Sequence, residues 1–212
     1  MNLQISFSGD PDASVVLIQP VDEHDLAVIE NEAAEIRRLS EKDFCLITVK
    51  VESWNRDLSP WKAPAVFGTE DFGDGANETL AEILRLCGDK KKTYVIGGYS
   101  LAALFSLWAV LQTDVFGAAD AASPSFWFPG FIDYLWHSEV KCTKIYLSLG
   151  DKEEKTRNAV MAAVGDCIRK ANEILQDKGI ESVLEWNQGN HFRESDLRTA
   201  KAFAWALNAL KL

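Results

Sequence analysis

An apolar, strand-like run, Tyr94-Val95-Ile96-Gly97, leads into Gly98-Tyr99-Ser100-Leu101-Ala102 and then directly into an apolar helical stretch. Gly-x-Ser-x-small between a buried strand and a helix is the setting of a nucleophile elbow, a strained turn that lifts a serine hydroxyl above a sheet. The positions two before and two after the serine must be small, because strand and helix backbones crowd there. Gly98 meets that need, and Ala102 stands in place of the usual second glycine. A serine hydroxyl becomes a good nucleophile only when a base takes its proton, so the chemistry in view is acyl transfer through a covalent acyl-enzyme. Ser100 also suits a helix N-cap, a role compatible with the first because a helix N-terminus favours a developing oxyanion.

Three histidines compete for the base. His24 lies among Asp22, Glu23 and Asp25 and reads as a solvated loop residue. His137 ends the segment Phe131–Trp136 and reads as a helix-end histidine. His191, in Gln188-Gly189-Asn190-His191-Phe192, follows the last strand-like run and precedes the last helix, where the base of a serine, acid, histidine chain order belongs. The acid is then expected in Gly150-Asp151-Lys152-Glu153-Glu154, the loop after the preceding strand. A carboxylate there holds the imidazole tautomer and stabilises the imidazolium. Asp is the commoner acid in such triads, which favours Asp151, although Asp151 also suits a helix cap. Position alone leaves Asp151, Glu153 and Glu154 open.

The elements that must position these groups are legible as alternating patterns. Strands are predicted at Leu3–Phe7, Ser14–Gln19, Cys45–Val51, Thr93–Gly98, Gly117–Ala121, Lys144–Leu149 and Ser182–Trp186. Most are continuous apolar runs, as parallel strands buried on both faces require. Helices are predicted at Asp25–Leu39, Asn77–Cys87, Leu101–Leu111, Thr156–Asp177 and Ser195–Leu210. Leu101–Leu111 is apolar nearly all round and should be the buried central helix. The alternation implies a mostly parallel, doubly wound α/β sheet with its chemistry at the carboxyl ends of the strands. With the elbow, this predicts an α/β-hydrolase fold over residues 1–212 as a single domain without an obvious cap.

Composition agrees with a globular chain. Of 212 residues, 47% are hydrophobic and 25% charged, and the length suits one sizeable core. The net charge of −10 disfavours nucleic acid and anionic membranes as partners. No stretch approaches the ~20 apolar residues of a membrane span, and the start, Met1–Asp12, lacks the pattern of a secretory signal. Cys45, Cys87, Cys142 and Cys167 are widely spaced and form no CxxC pair. They read as reduced thiols of a cytoplasmic protein, with no zinc-ligand spacing.

The segments Ile96–Ala103, Ala121-Ala122-Ser123-Pro124-Ser125-Phe126-Trp127, Leu147–Glu153 and Gln188–His191 together resemble the esterase family that includes enterochelin esterases, esterase D and bacterial feruloyl esterases. The resemblance covers most of the chain and implies ester hydrolysis without naming a substrate. In that family the acid commonly stands three residues after the glycine that ends the strand. The resemblance therefore ranks Glu153 first, Asp151 second and Glu154 third. Some members resemble a serine–histidine dyad with no essential acid. Many carry an extra N-terminal domain or signal, and neither is expected from this sequence.

An oxyanion hole of this fold uses the amide after the nucleophile, here Leu101, and one from the loop Pro20-Val21-Asp22-Glu23. Pro20 has no amide hydrogen, so Val21 is expected there, with Asp22 as runner-up; no His-Gly-Gly-Gly motif is present. Trp54, Tyr99 and Trp127 are the candidate substrate contacts. Trp54 belongs to the loop Trp54–Trp61, which reads equally as a substrate wall or as a structural loop tied down by Asp57 and Pro60. The expected partner is a small-molecule ester, with no metal or organic cofactor implied. Acyl transfer to another acceptor shares the same intermediate, and a non-catalytic binding scaffold is the alternative from another class.

Overall fold

The computed structural model describes residues 4–210. Leu3, the expected start of the first strand, lies outside the described residues. The strands are β1 (Gln4–Gly9), β2 (Val15–Val21), β3 (Cys45–Lys50), β4 (Thr93–Tyr99), β5 (Phe116–Ala122), β6 (Lys144–Gly150) and β7 (Glu181–Asn187). They form one sheet in the order β1-β3-β2-β4-β5-β6-β7. Only β1 runs antiparallel, against β3; the other pairs are parallel.

Helices α1 (Glu23–Leu39), α2 (Trp54–Asp57), α3 (Ala76–Leu86), α4 (Leu101–Gln112), α5 (Phe131–His137), α6 (Ala159–Ala162), α7 (Val164–Asp177) and α8 (Ser195–Ala209) cover the sheet. Successive strand residues point to opposite faces. Leu17 and Val95 pack under Ala33 and Ile36 of α1 and Phe203 and Leu207 of α8. Ile18 and Ile96 face Leu80 of α3, Leu104 of α4 and Ile168 of α7. That two-sided burial is why the strands read as unbroken apolar runs. Every residue of α4 from Leu101 to Leu111 is buried, and each large one contributes about 1.5–3 kcal/mol by leaving water.

The predicted helix Thr156–Asp177 is broken in two. A 3₁₀ turn, Glu153–Lys155, comes first. The Asn158 side chain then caps α6 by accepting from the Val160 and Met161 amides, and α7 starts only at Val164. The cap satisfies amides that a continuous helix would have bonded to preceding carbonyls.

The strand order reverses direction between β2 and β4, the switch point where ligands of such sheets bind. Pairing between these strands ends at Ile18↔Ile96. Beyond it, β2 continues along β3 to Val21↔Lys50, while β4 continues along β5 to Tyr99↔Ala122. Pro20 is tolerated in an interior strand because it lies past the last rung with β4, where no ladder donor is needed.

Candidate active site

β4 ends in Gly98-Tyr99 and α4 begins at Leu101, leaving Ser100 alone in the turn. Its backbone has φ 59° and ψ −116°, a conformation costly for a residue with a Cβ. Three bonds hold it there. The Ser100 amide donates to the Ala122 carbonyl at 3.1 Å, and its own carbonyl accepts from Ser125 at 3.0 Å and Leu104 at 3.2 Å. Gly98 is needed because a Cβ there would stand 2.8 Å from that of Ala102. Ser100 occupies the N-cap position, yet its hydroxyl makes no capping bond.

That hydroxyl lies 3.0 Å from His191 Nε2. His191 Nδ1 lies 2.7 Å from Glu153 Oε2. The other carboxylate oxygen of Glu153 accepts from the Ser123 hydroxyl at 2.7 Å, the Gly150 amide at 2.7 Å and Arg198 Nη1 at 3.0 Å. Burial pushes the Glu153 carboxyl up, but the His191 ring, the Ser123 hydroxyl and the Gly150 amide outweigh it and hold the group below its usual range. Gly150 leaves room for the carboxylate, since a Cβ there would stand 2.8 Å from Glu153 Oε1. The structure thus brings Ser100, His191 and Glu153 into one hydrogen-bonded line.

The other candidate acids point elsewhere. The Asp151 carboxylate accepts from the Gly189 amide at 2.8 Å, so it ties two loops together rather than capping a helix. Glu154 pairs with Arg169 at 2.7 Å. His24 is exposed in the first turn of α1, and His137 is exposed with Nδ1 2.8 Å from the Asp133 carbonyl.

Two expectations are corrected by the geometry. Tyr99 is buried and does not line the cavity above Ser100. Its hydroxyl donates to the His191 carbonyl at 2.8 Å and accepts from Arg198 at 3.1 Å. Burial, then the Glu153 charge, pushes its phenol up to about 12, so it remains a donor. Val21 is the last residue of β2, and its carbonyl accepts from the Val51 amide at 3.1 Å. A strand residue turns its N–H and C=O toward the same neighbour. The Val21 amide therefore faces β3, on the side away from Ser100. The runner-up is engaged as well: the Asp22 amide lies 3.3 Å from Asp25 Oδ2 in the capping box of α1. Leu101 lies in the first turn of α4, where amides have no intrahelical acceptor.

Ser100 and His191 open into a cavity of about 830 Å³. Trp54, Phe67, Trp127, Met161, Val164 and Phe192 supply its apolar walls. Trp127 packs at 6.0 Å from both Phe67 and Phe72, so the wall is braced from behind. The Trp54–Trp61 loop both borders the cavity and is tied down from within. Trp54 lines the cavity, while the buried Asp57 accepts from the Glu52 and Ser53 amides at 3.0 and 2.8 Å.

Three site residues carry no role in the sequence reading: Ser123, Ser125 and Arg198. Ser123 adopts φ 47° while buried, held by its bond to Glu153 and by its amide donating to Ser148 at 2.8 Å. Ser125 Oγ lies 3.3 Å from Ser100 Oγ. Both serines belong to the Ser123-Pro124-Ser125 segment, which carried part of the family resemblance. The signal for Arg198 is a lone cation on the buried stripe of α8, in line with Ala202.

No protein-family model matches the sequence, and a search of the curated proteins finds no match. Solved structures do match. An IroE-like serine hydrolase from Shewanella oneidensis superposes with a TM-score of 0.78 at 15% identity, over 99% of this chain and 77% of that one. The siderophore hydrolase EstA from Aspergillus nidulans gives 0.73 at 19% identity, over 99% and 91%. A ferulic acid esterase gives 0.60 at 12% identity, over 98% and 96%. With the sheet order and the elbow, these likenesses show that the chain has the α/β-hydrolase fold.

Proposed function

We propose that this chain is a carboxylic-ester hydrolase that works through an acyl-enzyme on Ser100. The observation that carries the reading is the unbroken line from Ser100 Oγ through the His191 ring to Glu153, at 3.0 and 2.7 Å, at the wall of an apolar cavity. His191 Nε2 takes the Ser100 proton as Oγ bonds to the ester carbonyl carbon, and the carbonyl π electrons move onto its oxygen. The Leu101 amide donates to that oxyanion. As the tetrahedral intermediate collapses, the bond to the alcohol oxygen breaks and the imidazolium delivers its proton to that oxygen. Water then repeats the sequence with His191 as base, releasing the acid and restoring Ser100. Glu153, kept ionised by its donors, stabilises the imidazolium in both halves.

The aromatic and aliphatic walls suit esters with a bulky apolar or aromatic group. The names of the similar folds, siderophore hydrolase and ferulic acid esterase, support the same choice. The test is covalent labelling with a fluorophosphonate, read by peptide mass, alongside hydrolysis of aryl, thio- and sugar esters. Labelling confined to Ser100 and turnover abolished by Ser100→Ala are expected. A folded wild-type chain that neither labels nor hydrolyses any of the esters would overturn the reading.

A further inference from the structure

Arg198 belongs to α8, the last helix, yet its guanidinium bonds both the Glu153 carboxylate and the loop that carries His191. Its side chain is 3% exposed and that of Glu153 4% exposed. Nη1 donates to Glu153 Oε1 at 3.0 Å, to Ser123 Oγ at 3.2 Å and to the Tyr99 hydroxyl at 3.1 Å. Nη2 donates to the Gln188 and Asn190 carbonyls at 3.2 and 3.1 Å, on either side of the turn that delivers His191. Tyr99 closes the circuit by donating to the His191 carbonyl at 2.8 Å. A planar fork with several fixed donors can hold a carboxylate and a loop at once, which a point charge on a flexible stem cannot.

Charge follows from this geometry. A buried carboxylate that faces only a histidine lends that ring its whole negative charge. Glu153 shares its charge between His191 on one oxygen and Arg198 on the other. Arg198 therefore orients Glu153, while its own charge opposes the imidazolium next door. The other titratable or charged groups around His191 are Tyr99 from β4, Asp151 on the Gly189 amide, Lys152 and Lys155 at the cavity rim, and Arg193 and Glu194 of its own loop. Arg193 and Glu194 pair with each other at 3.3 Å. Among the cations of the described residues, Arg198 is the one that bonds the acid.

We propose that Arg198 is a positioning residue of the relay: it fixes the Glu153 carboxylate and the His191 loop, and it sets the pH below which His191 stops acting as base. This rests on the esterase reading above. The experiment measures kcat, KM and the rate of fluorophosphonate labelling from pH 5 to 9 for wild type, Arg198→Met, Arg198→Gln and Arg198→Lys, all as the full chain. Both charge-removing variants should shift the acid limb of kcat/KM upward by about one pH unit, because the imidazolium loses a buried like charge. Their kcat at pH 7 should fall at least tenfold, with KM within about threefold, as expected when an interaction specific to the transition state is lost. Arg198→Lys should keep the limb near the wild-type pH while kcat still falls, since lysine restores charge but not the fork. If the methionine variant does not fold, the glutamine variant, polar and of similar length, carries the same comparison. A merely structural arginine would lower stability or kcat and leave the limb in place, and that result overturns the proposal. A wild type that fails to label sinks the esterase reading itself. A wild type that labels with an acid limb unmoved by loss of the Arg198 charge sinks this inference alone.

Discussion

Glu153→Gln is the most informative single perturbation, because the surroundings dictate how the new amide must sit. One carboxylate oxygen is held by three donors: Ser123, Gly150 and Arg198. The amide oxygen of glutamine must take that place, since an NH₂ would meet three donors head on. The NH₂ is then turned toward His191 Nδ1, at the 2.7 Å position that the carboxylate fills. It donates where the wild-type group accepts. That stabilises the tautomer with its proton on Nε2, which cannot accept the Ser100 proton. A wrong tautomer costs on the order of 10⁴ in kcat, or about 5 kcal/mol of transition-state stabilisation. Folding should also suffer, because the change leaves Arg198 buried beside a neutral group. The amide oxygen still accepts from it, so the loss should sit near the lower end of that for a broken buried pair, about 3 kcal/mol. In a chain of this size that is a drop in Tm of roughly 6–12 °C. Stopped assays of an aryl ester give kcat and KM, and a thermal melt gives Tm. A folded variant with kcat within tenfold of wild type would refute the assignment of Glu153, as would an equal loss of kcat in Asp151→Asn.

Ser100→Ala should lose both turnover and fluorophosphonate labelling while keeping its melting temperature; turnover within a few-fold of wild type would move the nucleophile elsewhere. Glu154→Gln removes a half-exposed pair with Arg169 and should change stability by less than about 1 kcal/mol and leave kcat alone, checked in the same assays. Phe192 is 89% exposed and lines the cavity beside His191, so Phe192→Ala should raise KM for bulky aryl esters and leave the kcat for a small acetyl ester unchanged. Equal effects on both esters would remove Phe192 from the substrate wall. Burial, then the neighbouring Asp22 charge, raises the Asp25 carboxyl from 3.8 to about 6. Its contribution to stability is therefore full below pH 3.8 and lost as pH rises through about 6. Asp25→Asn should remove this pH dependence and gain on the order of 2 kcal/mol at pH 8 relative to pH 4, measured by urea unfolding at both pH values.

Ser100 was legible because the elbow is a local object: crowding between β4 and α4 demands small residues at Gly98 and Ala102, and those needs are written within five positions. His191 was legible by elimination, since of the three histidines only it stands between the last strand and the last helix, where the chain order serine, acid, histidine puts the base. The strands were legible because burial on both faces leaves continuous apolar runs, and α4 because burial all round leaves an apolar helix. The acid was different. Asp151, Glu153 and Glu154 are equivalent by composition and lie within four residues. Their choice depends on a 3₁₀ turn and on which carboxylate meets Ser123, Gly150 and Arg198 from three separate segments. Val21 failed as an oxyanion donor for a related reason. The direction of an amide is set by which strand its carbonyl has already paired with, and pairing partners far apart in the chain leave no local mark. Tyr99 and Arg198 belong to the same class, because a phenol beside a nucleophile and a cation on a helix acquire their roles only when the sheet closes around them. The sequence by itself placed Ser100 in a strand-to-helix turn and His191 after the last strand, and it determined the layered fold that presents them. Only the tertiary structure decided which carboxylate completes the line and which cation holds it, because those bonds join residues brought together by packing rather than by spacing.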